Sequence, residues 1–476
     1  MKYLDNKTKI VSTMGPACAD KKILKEMIEN GVNVCRINFS HGSYEDHQIV
    51  IDNIREINRE LNIHTGILAD LQGPKIRTGL MKGNGFLLKE NATIEIGIKD
   101  IEGDENQISI NYQDFPKDVS AGEFVLVDDG KIKLQILETN NVDRVKAKVI
   151  HGGLLTSRKG VNLPNTAISL PCLTPKDLQD LDFALKNDIA WIGLSFVRSA
   201  ADVIELKKLI KSKKKSSLVI AKIEKPEALK NIGEIIEAAD GLMVARGDLG
   251  VEIPLQDVPL VQKSLVKKCR NMAKPVIIAT QMMESMIEQF SPTRAEVNDV
   301  ANAVLDGADA VMLSGETSVG KFPVEVIKTI FKIIARVELY DGLYNTEIMP
   351  VAYDERKITD AICDSAARLV KATEAKGIVT MTFSGYTAFK ASSYRPKAFI
   401  FVYTANFKIL DMLSLIWGVK GFYYDKFVST DHTIDDIKFL LKKDGYTQTG
   451  DYVVHIASMP IAKKGTSNML RISHIK

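Results

Sequence analysis

Residues 189–224 read IAWIGLSFVRSAADVIELKKLIKSKKKSSLVIAKIE. Two apolar runs rich in β-branched residues, IAWIGLSFV from Ile189 and LVIAKIE from Leu218, flank a helically patterned stretch. That stretch closes in KSKKKSS (Lys211 to Ser217), which reads as a solvated helix end and turn. Strand, helix and strand within roughly 30 residues is the unit of a parallel sheet, since a parallel return needs a crossover of about a dozen residues or more. The unit recurs in both directions. Strand candidates precede it at KIVST (Lys9), VNVCRINFS (Val32) and GILAD (Gly66), and follow it at DGLMVARGD (Asp240), PVIIAT (Pro275) and DAVMLSG (Asp309). Successive starts lie 23, 34, 123, 29, 22, 35 and 34 residues apart, so one gap alone is too long, by about 90. The spacing predicts a (β/α)₈ barrel of α/β class with a domain inserted after the third strand.

The insert, residues 74–170, changes texture. TIEIGIKD, FVLVDDGKIKLQIL and RVKAKVI alternate apolar and polar residues between Gly, Asp and Asn, as expected of a small antiparallel β domain closed toward a barrel. Thr174-Pro175-Lys176-Asp177, with a capping residue, Pro in the first turn and an early acid, marks a helix start on re-entry to the barrel. The barrel thus takes residues 1–73 and 171–345. Beyond Asn345 a helix, ITDAICDSAARLVKAT, and strands GIVTMTF, AFIFVYT, VKGFYY and DYVVHIA, then NMLRISHI, predict a separate C-terminal α/β domain over residues 346–476.

At 476 residues the chain has room for roughly three domains of about 150 residues each. With 45% hydrophobic and 26% charged residues it is an ordinary globular composition, and a net charge of +3 is too small for the field of a nucleic-acid or anionic-membrane binder. Any anion site must therefore be local. The five cysteines, Cys18, Cys35, Cys172, Cys269 and Cys363, are odd in number without C-x-x-C spacing, which argues against a disulfide framework or a zinc site and for a reducing cytoplasm. Neither the opening residues nor any later segment carries an apolar stretch suited to secretion or membrane spanning.

Barrel chemistry gathers at the C-terminal ends of the strands. Those ends carry Arg36, Asn38, Ser40 and His41 on the second strand and Asp70 on the third. They carry Lys222 and Glu224 on the fifth, Arg246 and Asp248 on the sixth, Thr280 and Gln281 on the seventh, and Ser314 and Glu316 on the eighth. Period-two alternation puts Lys222 and Glu224 on one side of their strand. Glu224 and Asp248, from adjacent strands, suit a hard divalent cation, because Mg²⁺ commonly takes one or two carboxylates and completes its shell with substrate oxygens and water. An internal ion-pair network of Lys222, Glu224, Arg246 and Asp248 would use the same residues. Gly247 would let backbone N–H groups approach an anion, and Arg36 and Lys222 would stabilise a transferring phosphoryl group or an enolate. No Gly-rich nucleotide loop occurs in the barrel, so a nucleotide would be held by scattered basic residues.

The motifs CRINFSHG (Cys35 to Gly42), DLQGPKIRTG (Asp70 to Gly79), KGVNLPNTAISLP (Lys159 to Pro171), VIAKIEKPEAL (Val219 to Leu229), MVARGDLGVEIP (Met243 to Pro254), ATQMMESM (Ala279 to Met286) and PTRAEVNDVANAVLDGADAVMLSGET (Pro292 to Thr317) resemble the pyruvate kinases over essentially the whole chain. The resemblance implies transfer of the phosphoryl group of phosphoenolpyruvate to ADP, giving pyruvate and ATP. By it, Glu224 and Asp248 would hold Mg²⁺ or Mn²⁺, while Lys222, Arg36 and Thr280 would be catalytic. Gly247, Asp248 and Thr280 would form the carboxylate pocket. Asn38, Phe39, Ser40, His41 and Arg77, with Lys159 from the lid, would bind the nucleotide, and Asp128 would lie where the lid closes over it.

One departure carries chemistry. Many family members bind K⁺ at the site that corresponds here to Asn38, Ser40, Asp70 and Leu71, and carry Thr, Lys and Glu where this chain has Leu71, Gln72 and Lys75. The pattern resembles the K⁺-independent branch, with the Lys75 ammonium in place of the ion. In the third domain Ser384, Gly385, Tyr386 and Thr387 precede a helix and suit an effector phosphate, with Lys463 and Lys464 within reach; simple helix capping would use the same residues. The resemblance further implies a homotetramer. Two rivals are a Mg²⁺-dependent lyase acting on pyruvate enolate and a catalytically silent sensor barrel. A lyase has no nucleotide for the lid's Lys159 to clamp, and a silent barrel has no need of Arg36, Lys222, Glu224, Asp248 and Thr280 together.

Overall fold

The computed structural model describes residues 6–164, 166, 168–345, 356–426, 429–459 and 466–476. The eight predicted runs form a closed parallel barrel: Lys9–Thr13, Val34–Asn38, Gly66–Asp70, Trp191–Leu194, Leu218–Ile223, Gly241–Ala245, Val276–Ala279 and Ala310–Leu313. Each strand pairs with its neighbours in chain order, and the first closes on the last with Lys9 opposite Ala310. Period-two alternation sets the content of the barrel. Val34 leads to Arg36, Leu68 to Asp70, and Ile220 to Lys222 and Glu224. Each inward row therefore begins as fully buried apolar core and ends in charge at the mouth.

The insert is a six-stranded sheet, antiparallel except where Thr93–Gly97 and Gln107–Ser109 run parallel, with a two-stranded ribbon beside it. Among the described residues no ladder joins the sheet's outer strands. Single bridges complete the ring, Arg77 to Gly160 at one end and Thr78 to Ile110 at the other. Its core includes Ile94, Ile96, Leu134, Ile136, Val145 and Val149. The exit and re-entry of the lid are tied together by Asp177. Its Oδ2 accepts the Thr174 N–H at 2.8 Å, capping the helix Pro175–Lys186 as the sequence predicts, and its Oδ1 accepts the Gly73 N–H at 3.0 Å.

The C-terminal domain is a five-stranded sheet in the order Val419–Tyr423, Phe399–Thr404, Gly377–Met381, Tyr452–Ala457, Met469–His474; the first four strands are parallel and the edge strand antiparallel. It abuts the end of the barrel away from the charged mouth. The Trp191 indole N–H donates to the Met412 carbonyl at 3.2 Å, and Asp309, just before the eighth strand, accepts from Arg395 Nη2 at 2.9 Å. All five cysteines are free and buried. Among the described residues no helix is long and apolar enough to cross a membrane.

Candidate active site

At the barrel mouth Lys222 is the centre of a buried charge cluster. Its Nζ lies 3.1 Å from Asp70 Oδ1 and 3.0 Å from Glu224 Oε1, and donates to Ser195 Oγ at 2.6 Å. Arg36 closes the other side of Asp70, with Nε and Nη2 at 2.7 and 2.6 Å from Oδ2, and its Nη1 donates to Thr13 Oγ1 at 2.9 Å. Two cations thus face two carboxylates that are 1% and 2% exposed. Burial alone would raise the Asp70 carboxyl, but Lys222 and Arg36 outweigh it and hold that group below the usual carboxylate range. Burial would lower Lys222, yet Asp70 and Glu224 overcome this and keep it protonated well above its usual range. Glu224 goes the other way. Burial raises its carboxyl, Lys222 offsets this only in part, and Asp248 pushes it further up. A buried carboxylate short of positive charge beside a second carboxylate is a donor set that fits a divalent cation.

Glu224 is held in place by the Phe196 N–H, which donates to Oε2 at 2.8 Å. Phe196 follows the fourth barrel strand with φ of +55°, and Thr280 and Gln281, after the seventh, have φ of +68° and +54°. Left-handed backbone at a β-branched residue such as Thr280 is strained, and such strain persists only where surrounding structure enforces it. Arg246 is the enforcer here, with Nη2 donating to the Thr280 carbonyl at 2.8 Å and Nη1 to Asp299 Oδ1 at 2.7 Å. Thr280 Oγ1 in turn accepts the Gly247 N–H at 2.7 Å. A side chain at Gly247 would put a Cβ 3.2 Å from that oxygen, so the Thr280 hydroxyl would have to give by a few tenths of an ångström, which glycine avoids. Gly247 and Asp248 lie in the first turn of the helix Arg246–Glu252.

Lys222, Arg36, Glu224, Asp248, Gly247 and Thr280 therefore converge at one mouth. Arg246 does not join the alternative ion-pair network with Lys222, Glu224 and Asp248, because its guanidinium is turned to Asp299, the Gln262 amide oxygen and the carbonyls of Thr280 and Gln281. Lys75, on the lid hinge, reaches the same mouth, with Nζ 3.4 Å from Asp248 Oδ1. The proposed nucleotide residues are more dispersed. Asn38 Oδ1 accepts the Ser40 N–H at 3.1 Å, and His41 is exposed. The Phe39 ring is buried against Tyr44, His47 and Phe183, so it offers no side chain to a ligand. In the lid, Arg77 Nη1 donates to the Arg158 carbonyl at 3.2 Å, and Lys159 Nζ lies 2.9 Å from Asp128 Oδ1. The Lys159 hydrogen bond, reinforced by Lys131, holds Asp128 below the usual carboxylate range despite some desolvation.

The C-terminal motif stands apart from this site. Gly385, at φ +85°, caps the helix Tyr386–Ser393, and Ser384 is exposed. Tyr386 donates to Asp360 Oδ1 at 2.8 Å and Thr387 is buried against Ser467, so these two side chains turn inward. Lys463 and Lys464 lie outside the described residues.

Ser195 is the residue that sequence reasoning missed. It links Lys222 to the Leu71 carbonyl, donating to it at 2.7 Å. Its signal was its place at the end of the fourth strand, the same rule that picked out the others. Thr13 and Asp299 act through Arg36 and Arg246 across more than 20 residues of chain, which a local reading cannot register.

Comparison with known proteins gives the same picture. The family model described as pyruvate kinase, barrel domain, matches residues 5–327, and the pyruvate kinase alpha/beta domain matches residues 360–473. A pyruvate kinase of Geobacillus stearothermophilus is 43% identical over 476 residues, covering 98% of this chain and 80% of the relative. One of Staphylococcus epidermidis is 40% identical over 470 residues with the same coverages. The crystal structure of a pyruvate kinase from Cryptosporidium parvum superposes with a TM-score of 0.92 at 36% identity, covering 99% of this chain and 96% of that one. With its closed barrel, inserted lid and C-terminal domain, the chain belongs to the pyruvate kinase family.

Proposed function

We propose that Lys222, Arg36 and Thr280 carry the family's reaction in this chain, the transfer of the phosphoryl group from phosphoenolpyruvate to ADP. The bond between phosphorus and the enol oxygen breaks, a β-phosphate oxygen of ADP bonds to phosphorus, and the enolate of pyruvate left behind takes up a proton. Little covalent chemistry falls to the protein, so fixed charge is its main contribution. The observation that carries this assignment is the Lys222 ammonium, locked by Asp70, Glu224 and Ser195 at 2.6–3.1 Å, ready to meet negative charge on the transferring group or the enol oxygen without rearranging. Arg36 faces the same space and orients the phosphoryl group. Gly247, Asp248 and Thr280 receive the substrate carboxylate. Asn38, Ser40, His41, Arg77 and Lys159 hold the nucleotide, Phe39 adding only its backbone.

Glu224 and Asp248 would hold Mg²⁺ or Mn²⁺, which when bound offsets the charge on the substrate phosphates. The raised Glu224 carboxyl supports that role. K⁺ is not required, because Lys75 already brings an ammonium to the Asp248 side of the mouth. A phosphorylated effector binds at Ser384 and Gly385, and the enzyme works as a cytoplasmic homotetramer. A lactate dehydrogenase-coupled assay tests the main assignment. Pyruvate must form only when ADP and a divalent cation are both present; pyruvate formed at the same rate without ADP would overturn it.

A further inference from the structure

Directly after Glu224 the chain places Lys225, whose side chain is only 8% exposed. Its Nζ lies 2.5 Å from Oε1 of Glu252, a carboxylate 1% exposed at the end of the helix Arg246–Glu252. Glu252 is one helical turn beyond Asp248, on the same face. The pair thus braces the two segments that carry Glu224 and Asp248. From the lid, Asn162 Nδ2 donates to the same Oε1 at 2.8 Å. Asn162 lies in the short lid strand Val161–Asn162, which begins two residues after Lys159. Nearby, the Asp128–Gly130 turn of the lid packs over Val251, where a Cβ on Gly130 would be 3.7 Å from Cγ1. A cavity of about 30 Å³, room for one water, opens in this seam between Lys75, Asn162, Lys225 and Asp248. None of Lys225, Glu252 and Asn162 is used by the chemistry above.

We propose that Asn162, Glu252 and Lys225 form a latch that couples closure of the lid to the spacing of Glu224 and Asp248. They are positioning residues, and the proposal rests on the assignment of those two carboxylates to the metal. With the lid down, Glu252 takes one donor from the lid and one cation from the strand end. This keeps Lys225 neutralised by Glu252 and away from its neighbour Glu224. With the Asn162 donor lost, the lid loses its tie to the far end of the helix of Asp248, leaving the longer Lys75 contact to Asp248 at 3.4 Å. With the Glu252 charge lost, Lys225 is a buried cation free to pair with Glu224 and compete with the metal.

The test uses the whole enzyme and three substitutions. Asn162→Asp sets a second carboxylate against Glu252. It should speed amide hydrogen exchange in the lid segments 76–82 and 158–163 by about threefold or more, leaving the C-terminal sheet unchanged. The KM for ADP should rise about fivefold while kcat changes less than about twofold. Glu252→Gln should weaken Mn²⁺ binding, read without turnover from the paramagnetic resonance of free Mn²⁺, by about fivefold. Glu224→Gln is the control for the underlying assignment. If it leaves Mn²⁺ binding unchanged, the metal assignment itself fails. If it weakens binding while Glu252→Gln does not, the latch fails alone. Unchanged lid exchange in Asn162→Asp would also overturn the latch, and that substitution, at a half-buried surface position, keeps the test open should the Glu252 variant not fold.

Discussion

Replacing Lys222 by Met keeps the side chain's apolar stem and removes its charge, and the structure indicates which group suffers. Asp70 retains two guanidinium contacts from Arg36, at 2.7 and 2.6 Å, but Glu224 is left with only the Phe196 N–H at 2.8 Å. Turnover should fall by at least about 10³, the scale of losing a preorganised electrostatic stabiliser. Stability should fall as well, by about 3 kcal/mol at pH about 8, as for a buried ion pair deprived of one partner. The pH dependence separates this loss from general damage. Glu224 already has a folded-state affinity for protons above that of the unfolded chain, and losing Lys222 raises it further. A raised carboxyl makes the folded state gain relative stability as pH falls toward the unfolded value. The deficit should therefore be smaller at pH about 5.5 than at pH about 8. Turnover in the coupled assay and urea unfolding at both pH values provide the measurements. A loss of kcat under tenfold with folding intact, or a stability deficit equal at both pH values, would refute the reasoning.

Chelation should abolish turnover, and the apparent affinity for Mg²⁺ should fall as pH drops through the raised Glu224 value, since protons and metal compete for one carboxylate; an activation constant flat from pH about 8 to about 5.5 would count against this. Wild-type kcat should be nearly equal in tetramethylammonium and potassium buffers of equal ionic strength, and Lys75→Glu should lose activity without K⁺ and recover part of it with K⁺, whereas a tenfold wild-type gain from K⁺ would make Lys75 irrelevant. In the cleft between the barrel and the C-terminal domain, burial pushes Asp411 up to about 6, Arg55 offsetting only part of it. Because 44% of its side chain is open to water, the ionised form costs the folded state only about 1 kcal/mol at neutral pH. The permanently neutral Asp411→Asn should therefore be more stable than wild type at pH about 7.5, and the gap should narrow as pH falls through about 6 toward the value of the unfolded carboxyl; equal unfolding midpoints at pH about 7.5 would exclude the effect.

The barrel was legible because a period-two pattern and crossover spacing leave few alternatives, and the same alternation correctly put Lys222 and Glu224 on one side of their strand. What stayed hidden depends on direction in space. Arg246 stands at a strand end like Lys222, yet its preceding strand runs into a helix that turns it toward Asp299 and the Thr280 carbonyl. Phe39 sits within CRINFSHG like its neighbours, but alternation and its apolar ring send it into an aromatic cluster with Phe183, far along the chain. The strain at Thr280 and the meeting of Asn162 with Glu252 rest on tertiary contacts that no local pattern encodes.

Phosphorus NMR of the enzyme with phosphoenolpyruvate, ADP and Mg²⁺ reads whether the charge cluster around Lys222 passes a phosphoryl group to a nucleotide. One ATP should form for each phosphoenolpyruvate consumed, with no orthophosphate. The same stoichiometry should hold at a rate lower by at least about 10³ in Lys222→Met. Consumption of phosphoenolpyruvate that releases orthophosphate, or that proceeds without ADP, would contradict this transfer.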